Sequence, residues 1–400
     1  MIKKLKFLNK NIYLVGGAVR DKLLYLPIKE KDWVVIGFNI KDMLKLGFKK
    51  VGKNFPVFIH PKTKEEYALA RKDIKYKYGY CGFKFIFSPN VTLKEDLFRR
   101  DITINAMAQD KNGNIIDPYN GINDIKKKVI RHVSNSFVED PLRVLRVSRI
   151  FSYLFYLGFK IDYKTIEIMK KISYSNELLY LSSERIWKET YKALKTNNPE
   201  LYFYILYKTK SFFKVFPDFK YIILNNSDLK IFFKILRNIK KIPYCPYIKF
   251  SIILYELYKK KNKLKLKVHN IIYNLFKKFG IKKEIRDLLY NIINNINDIL
   301  LIKHKDYNDV LTLFYKIKIF NNINNYIIFK KICFFDFISN NLISKKYFIN
   351  LNIYIDILYN IFVNKGFFYK KKNIFIIKKI INNKSKYNFF ITKILLDKKK

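Results

Sequence analysis

Turn-forming residues are crowded into one end of this chain. Nine of the twelve glycines precede residue 125, and no proline follows Pro246. Glycine and proline punctuate short strands and tight turns, and helix interiors exclude both. Such a partition predicts an α/β head over the first 130 or so residues, followed by a long all-α body. Within the head, Val51 to His60, Glu66 to Arg71 and Ile115 to Asp117 read as strands. Further on, apolar residues recur at helical spacing: Leu142, Leu145, Val147 and Ile150; then Ile166, Met169 and Ile172; then Ile186, Tyr191 and Leu194. Lys72 to Pro89, with Gly79 and Gly82 bracketing Tyr80 and Cys81, fits either a lid or an ordinary hairpin. The Lys-rich and Asn-rich runs after residue 200 read as solvated helix faces, and Lys398 to Lys400 as a frayed tail.

Four hundred residues, half of them apolar, allow two to four domains with sizeable cores. The formal net charge of +48 favours an anionic partner, nucleic acid first. The saturation with Lys, Asn, Ile, Tyr and Phe also fits drift in an AT-biased genome, which would supply many of these lysines without selection. Cys81, Cys245 and Cys333 stand far apart and form no CxxC, so neither a zinc site nor a disulfide framework is expected. The lysine-rich start is too polar for a secretion signal, and no run reaches the ~18 apolar residues of a membrane span. Segments such as Phe334 to Ile343 are short and flanked by Lys or Asn, so the expectation is a soluble, cytoplasmic protein with no membrane contact.

Six short blocks carry chemistry. In the first, the apolar strand Tyr13-Leu14-Val15 runs into Gly16-Gly17, which opens a helix carrying Arg20 and Asp21. Glycines there let backbone amides approach phosphate at a positive helix end, and an arginine one turn in adds a charged contact. Glu30 and Asp32 then stand two apart at the head of the strand Trp33-Val34-Val35-Ile36, which places both carboxylates on one face. Two carboxylates on one face repel unless a cation lies between them, and Mg²⁺ favours one or two carboxylates with water and substrate phosphates. A solvated, charge-compensated turn is the competing reading of Lys29 to Asp32. The third block, Arg99-Arg100-Asp101 before Ile102-Thr103-Ile104-Asn105, sets two arginines beside a carboxylate that could orient them. Asp117-Pro118-Tyr119-Asn120-Gly121 is a turn that positions the sheet. In the fifth, Arg143, Arg146 and Arg149 recur every three residues as a basic helical ridge, with Asp140 one turn earlier. In Ser182-Ser183-Glu184-Arg185-Ile186-Trp187, a serine caps a helix and Trp187 belongs to a core.

In this order and spacing the blocks resemble the bacterial class II tRNA nucleotidyltransferases, the CCA-adding enzymes, and particularly the proteobacterial type. The likeness is close over residues 11–200 and faint beyond. It implies an α/β nucleotidyltransferase head with a small mixed sheet over residues 1–135. A helical base-recognition region would follow at 136–200, and a tRNA-binding helical body at 201–400. It also implies a reaction, in which the 3′-hydroxyl of a tRNA lacking CCA attacks the α-phosphate of CTP or ATP and pyrophosphate leaves. Glu30 and Asp32 would hold Mg²⁺ as the catalytic pair. Gly17, Arg20, Arg100, Arg146 and Arg149 would bind the nucleotide, and Asp140 with Arg143 would read its base. That last role is chemically coherent. Cytosine and adenine both offer an amine donor beside a ring-nitrogen acceptor, whereas guanine and uracil reverse the pattern.

Two departures from the family pattern stand out. The first metal position is normally Asp, and Glu30 moves its carboxylate by over ~1 Å, which predicts slowed activity. Proteobacterial relatives often carry a His-Asp phosphohydrolase domain in the body. This chain has only His60, His132, His269 and His304, no His-Asp pair, and Tyr255-Glu256 where one is expected. The likeness therefore implies a scaffold that has lost the hydrolase. A poly(A) polymerase of the same family and a catalytically impaired RNA-binding protein are the alternatives.

Overall fold

The computed structural model describes residues 11–339, except 53–55, 77–81, 241–245, 260–264, 296–297, 300–306 and 320–322. The tip of the proposed lid, the end of the Phe334 to Ile343 segment and the lysine tail thus lie outside the described residues. The chain divides between Lys240 and Lys241 into two compact units.

The first unit begins with β1 (Ile12–Val15), α1 (Gly17–Leu23), β2 (Asp32–Val35) and α2 (Ile40–Lys45). Next come β3 (Lys49–Val51), β4 (Val57–Ile59) and β5 (Glu66–Leu69), then the hairpin β6 (Arg71–Lys75) and β7 (Phe83–Phe87). The stretch expected as one strand from Val51 to His60 is an antiparallel pair instead, in which Val51 faces Val57. Gly52, at φ 88°, and Pro56 supply the physical reason, since both favour a turn over a continuous strand. The described part of Lys72 to Pro89 is an ordinary two-stranded ladder, from Arg71↔Phe87 to Lys75↔Phe83. After α3 (Leu93–Phe98) come β8 (Ala108–Gln109) and β9 (Ile115–Ile116), followed by α4 (Gly121–Lys126) and β10 (Val129–Ile130). Seven strands form one mixed sheet in the order β3-β4-β5-β2-β1-β8-β9, with β2 and β5 parallel. Alternation splits its core between two faces: Val35 packs with Phe38, Met43 and Phe58, whereas Val34 packs with Val15, Leu97 and Ala106.

The turn at Asp117 does more than end a strand. Its carboxylate accepts the amides of Gly121 and Ile122, each at 2.8 Å, capping α4. A Cβ on Gly121 would lie 2.5 Å from the Thr103 carbonyl, so only glycine lets α4 approach the turn after Arg99-Arg100-Asp101.

Helices complete this unit: α5 (Leu142–Leu154), then α6 (Tyr163–Tyr174) after the short strand β11 (Lys160–Ile161). α7 (Ser183–Leu194), α8 (Pro199–Lys208), α9 (Phe212–Val215) and α10 (Asn226–Ile239) follow. α5 packs on α7 and α8; of its predicted stripe Leu145, Val147 and Ile150 are buried, whereas Leu142 is only half-buried, and Val144 and Leu154 are buried beside them. Ser182 caps α7, its hydroxyl accepting the Arg185 amide, and Trp187 is buried as expected. The second unit contains α11 (Pro246–Lys259), α12 (Lys265–Lys278), α13 (Lys283–Asn294), α14 (Tyr307–Ile317) and α15 (Ile323–Ser339). Tyr255 and Glu256 are buried on α11, and Phe250 meets the rings of Phe276 and Phe279.

Candidate nucleotide and metal site

Sheet register brings the first two blocks together. β1 and β2 run antiparallel with Val15 opposite Asp32, so the Gly-Gly turn leaving β1 and the carboxylates entering β2 share one sheet end. Gly16 sits at φ 75° and ψ −138°, a conformation that suits only glycine, and no side chain caps α1 behind it. Two guanidinium groups occupy the space that side chains would fill. A Cβ on Gly16 would meet Arg100 Nη1 at 3.1 Å, and one on Gly17 would meet Arg20 Nη2 at 3.3 Å.

Arg20 is buried and fixed on both sides. Its Nε and Nη2 donate to Asp21 Oδ1 at 2.9 and 2.7 Å, and Nη1 donates to Asn105 Oδ1 at 2.8 Å. Asn105 donates in turn to Asp101 Oδ1 at 3.2 Å, and Arg146 Nε donates to Asp101 Oδ2 at 2.7 Å. One chain of bonds thus links the turn to α5. Burial pushes the Asp101 carboxyl up, but the Arg146 guanidinium outweighs it and holds the carboxyl well below the usual range. The same pair raises the Arg146 pKa.

Asp101 does not orient Arg99 and Arg100; Asp96 does. The Asp96 carboxylate is fully buried and accepts from Arg99 Nε at 3.1 Å and Arg100 Nη2 at 3.0 Å. Burial alone would raise its pKa; the two guanidinium groups bring it down to about 2. Arg99 also donates to the Arg71 carbonyl and reaches Asp73, which ties α3 to the β6–β7 hairpin. Among the described residues Arg100 Nε is buried without a partner, leaving one donor of this arginine unspent there.

The α5 arginines do not form one open ridge. Arg143 is buried, with Nη1 donating to the Ser136 carbonyl at 2.7 Å and Nη2 to the Arg99 carbonyl at 2.5 Å; burial lowers its pKa. Its side chain makes no bond to Asp140. Asp140 instead accepts from Arg185 of α7 at 3.2 Å and caps the Leu142 amide. Arg149 donates to Glu189 of α7 at 2.5 Å. Burial raises the Glu189 pKa, and Arg149 and Arg146 more than reverse that.

Glu30 and Asp32 differ from the simple strand expectation. β2 begins at Asp32, so Glu30 lies in the preceding segment and not on the strand. There its carboxylate pairs with Lys192 of α7 at 3.2 Å. Asp32 is exposed, and its side chain has no hydrogen bond or ion pair with the described residues. Hard oxygen donors, one of them unpartnered, fit a divalent cation that completes its shell with water and phosphate. Among the described residues no group of three or more His, Cys, Asp or Glu could hold a metal, so the donors form a pair and not a cage. Of the histidines, His60 is engaged by Thr63 and His132 by Thr165. His269 falls on α12, and His304 lies outside the described residues.

Sequence reasoning missed Asp96, Asn105, Arg185, Glu189 and Lys192. The last three carried a signal: positions 185, 189 and 192 follow i, i+4, i+7 spacing on one face of α7, alternating in charge. Asp96 carried none, because a buried acid four residues before an arginine reads as an ordinary surface pair.

Comparison with known proteins places the first half of the chain among characterised sequences. Residues 12–131 match the poly A polymerase head domain, and residues 158–223 a probable RNA and SrmB-binding site of polymerase A. The CCA-adding enzyme of Actinobacillus succinogenes is 55% identical over 216 residues, 54% of this chain and 54% of that protein. That of Buchnera aphidicola subsp. Cinara cedri is 56% identical over 224 residues, 56% and 54% of the two chains. The matched segment thus spans about half the length of these curated relatives. A CTP complex of the Bacillus stearothermophilus CCA-adding enzyme superposes with TM-score 0.61 at 22% identity, over 88% of this chain and 80% of that one. A tRNA nucleotidyltransferase with a primer tRNA and an ATP analogue superposes with TM-score 0.62 at 21% identity, over 90% and 99%. Among the described residues, no helix is long and apolar enough to cross a membrane. The chain therefore carries the poly A polymerase head domain over residues 12–131, and its N-terminal half is homologous to bacterial CCA-adding enzymes.

Proposed function

We propose that the chain adds CCA to the 3′ end of tRNA, using CTP and ATP and releasing pyrophosphate, in the cytoplasm. The observation that carries this reading is the pair of arginines lying against Gly16 and Gly17, at the same sheet end as Glu30 and Asp32. Gly17 leaves room for the triphosphate, and Arg20 and Arg100 neutralise it from two sides. Asn105 and Asp96 hold those two guanidinium groups so that little reorganisation accompanies binding. Arg146 and Arg149, fixed by Asp101 and Glu189, present the α5 side of the nucleotide site. Glu30 and Asp32 would hold Mg²⁺, which supplies Lewis acidity toward the attacking hydroxyl and charge neutralisation for the departing pyrophosphate.

Base reading requires an exchange of partners. Asp140 gives up Arg185 to accept from the exocyclic amine, and Arg143 gives up two carbonyls to donate to the ring nitrogen. Guanine and uracil would leave both groups facing like partners, so the bonds lost would not be replaced. The positive charge of the chain supports an RNA partner, with binding that weakens steeply as salt rises.

The test is a tRNA ending at the discriminator base, incubated with Mg²⁺ and CTP alone, ATP alone, or both. Extension by two residues with CTP, and by three with both, is the expected result. No transfer under any condition overturns the reading and leaves an RNA-binding protein. Because the head family is named for poly A polymerases, a long adenosine tail on generic RNA would shift the assignment to that activity.

A further inference from the structure

Lys192 lies outside every block that the sequence singled out, yet it is the partner of Glu30. Its ammonium stands 3.2 and 3.5 Å from the two carboxylate oxygens. The contact joins positions 162 residues apart, from the last turns of α7 to the segment entering β2. Asp32, two residues on, has no such partner among the described residues. The extra methylene of Glu30 is what spans the distance. An aspartate would fall short by over ~1 Å, beyond the ~4 Å reach of an ion pair.

We propose that Lys192 is a positioning residue for Glu30: it holds the longer carboxylate against α7 until a divalent cation takes its place. This rests on reading Glu30 and Asp32 as a metal-holding pair. A cation that draws on Glu30 must compete with a lysine already there, and like-charge repulsion between cation and ammonium adds to the competition. Lys192 thereby raises the cation concentration the site needs, and it keeps Glu30 from swinging freely in the free protein. The segment bearing Glu30 is steadied from the α5 side as well, where Lys29 lies 5.6 Å from the Tyr153 ring centre and Arg20 lies 5.8 Å from it.

The experiment titrates Mn²⁺ into the full chain without nucleotide or RNA and counts free ion by electron paramagnetic resonance. An exposed ion pair of this kind implies that Lys192→Met binds Mn²⁺ about twofold to fivefold more tightly than wild type. Lys192→Arg, which keeps the charge, should match wild type. In a Glu30→Asp background, the gain from Lys192→Met should shrink to the part that like-charge repulsion alone supplies, because the shorter acid does not reach the lysine. Equal or weaker binding by Lys192→Met, or the same gain in both backgrounds, overturns the proposal. Asp32→Asn separates the two levels. If it abolishes Mn²⁺ binding while Lys192→Met has no effect, the metal pair stands and the role of Lys192 falls. If it leaves binding unchanged, both fall.

Discussion

Asp96→Asn is the sharpest test of how the arginines are held. The side chain keeps its shape but loses its charge, and one oxygen becomes a donor facing a guanidinium donor. At stake are the bonds from Arg99 Nε and Arg100 Nη2, at 3.1 and 3.0 Å, together with a longer contact from the Arg71 amide at 3.4 Å. Removing one partner of a buried ion pair costs about 3–5 kcal/mol, because the remaining charges lose their compensation without regaining water. For a unit of this size that is roughly 6–20 °C in Tm. The chain contains two tryptophans, Trp33 and Trp187, and both lie in the first unit. Urea unfolding followed by tryptophan fluorescence therefore reads that unit alone. A pH series adds a second readout. The folded-state pKa of Asp96, about 2, lies below its ordinary 3.8. The associated stability is present above pH 3.8 and drains away as pH falls through 2. Its size is about 2 kcal/mol by linkage, and the variant should lack it. A loss under about 1 kcal/mol at neutral pH with an unchanged urea slope would refute the claim that Asp96 organises Arg99 and Arg100.

Three further outcomes follow from the same geometry. Gly16→Ala combines a positive φ with a Cβ 3.1 Å from Arg100, so it should cost about 1–3 kcal/mol and weaken CTP and ATP binding, measured by calorimetry. Glu189→Gln frees Arg149 and should raise the KM for nucleotide severalfold while tryptophan-monitored stability falls by about 1–3 kcal/mol; an unchanged KM would disconnect Arg149 from the nucleotide. Glu30→Asp restores the shorter carboxylate and should raise kcat for CTP incorporation by about tenfold, since errors near 1 Å at a reacting centre are kinetically costly; a slower variant would show that the backbone has already adapted to glutamate.

The division into an α/β head and a helical body was legible because glycine and proline act locally, and so was the stripe of α5. The Val51 to His60 stretch was read as one strand although Gly52 and Pro56 inside it oppose a continuous strand. Gly17, Arg20, Arg100 and Asp32 were legible as candidates, since each stands inside a block whose residue types already suggest phosphate or metal. Their holders were not. Asp96, Asn105 and Glu189 act across distances of 4 to 85 residues, and nothing in a one-dimensional pattern states which acid meets which arginine. Spacing alone set Asp140 one turn before Arg143, yet Asp140 pairs with Arg185, because α7 packs against α5 and brings a second set of charges to the same place.

The alternating charges on α7 constrain how this helix can move. Arg185, Glu189 and Lys192 face Asp140, Arg149 and Glu30 respectively. Slide the helix one turn in one direction, and Glu189 meets Asp140 while Lys192 meets Arg149. Slide it the other way, and Arg185 meets Arg149 while Glu189 meets Glu30. Both displacements set like charge against like, so the three pairs work as a key that admits one axial position. Rotation about a pivot keeps every pair matched and meets no such barrier. A tilt about the central Glu189–Arg149 pair would open the Arg185 contact at one end of the helix without shifting its axial register.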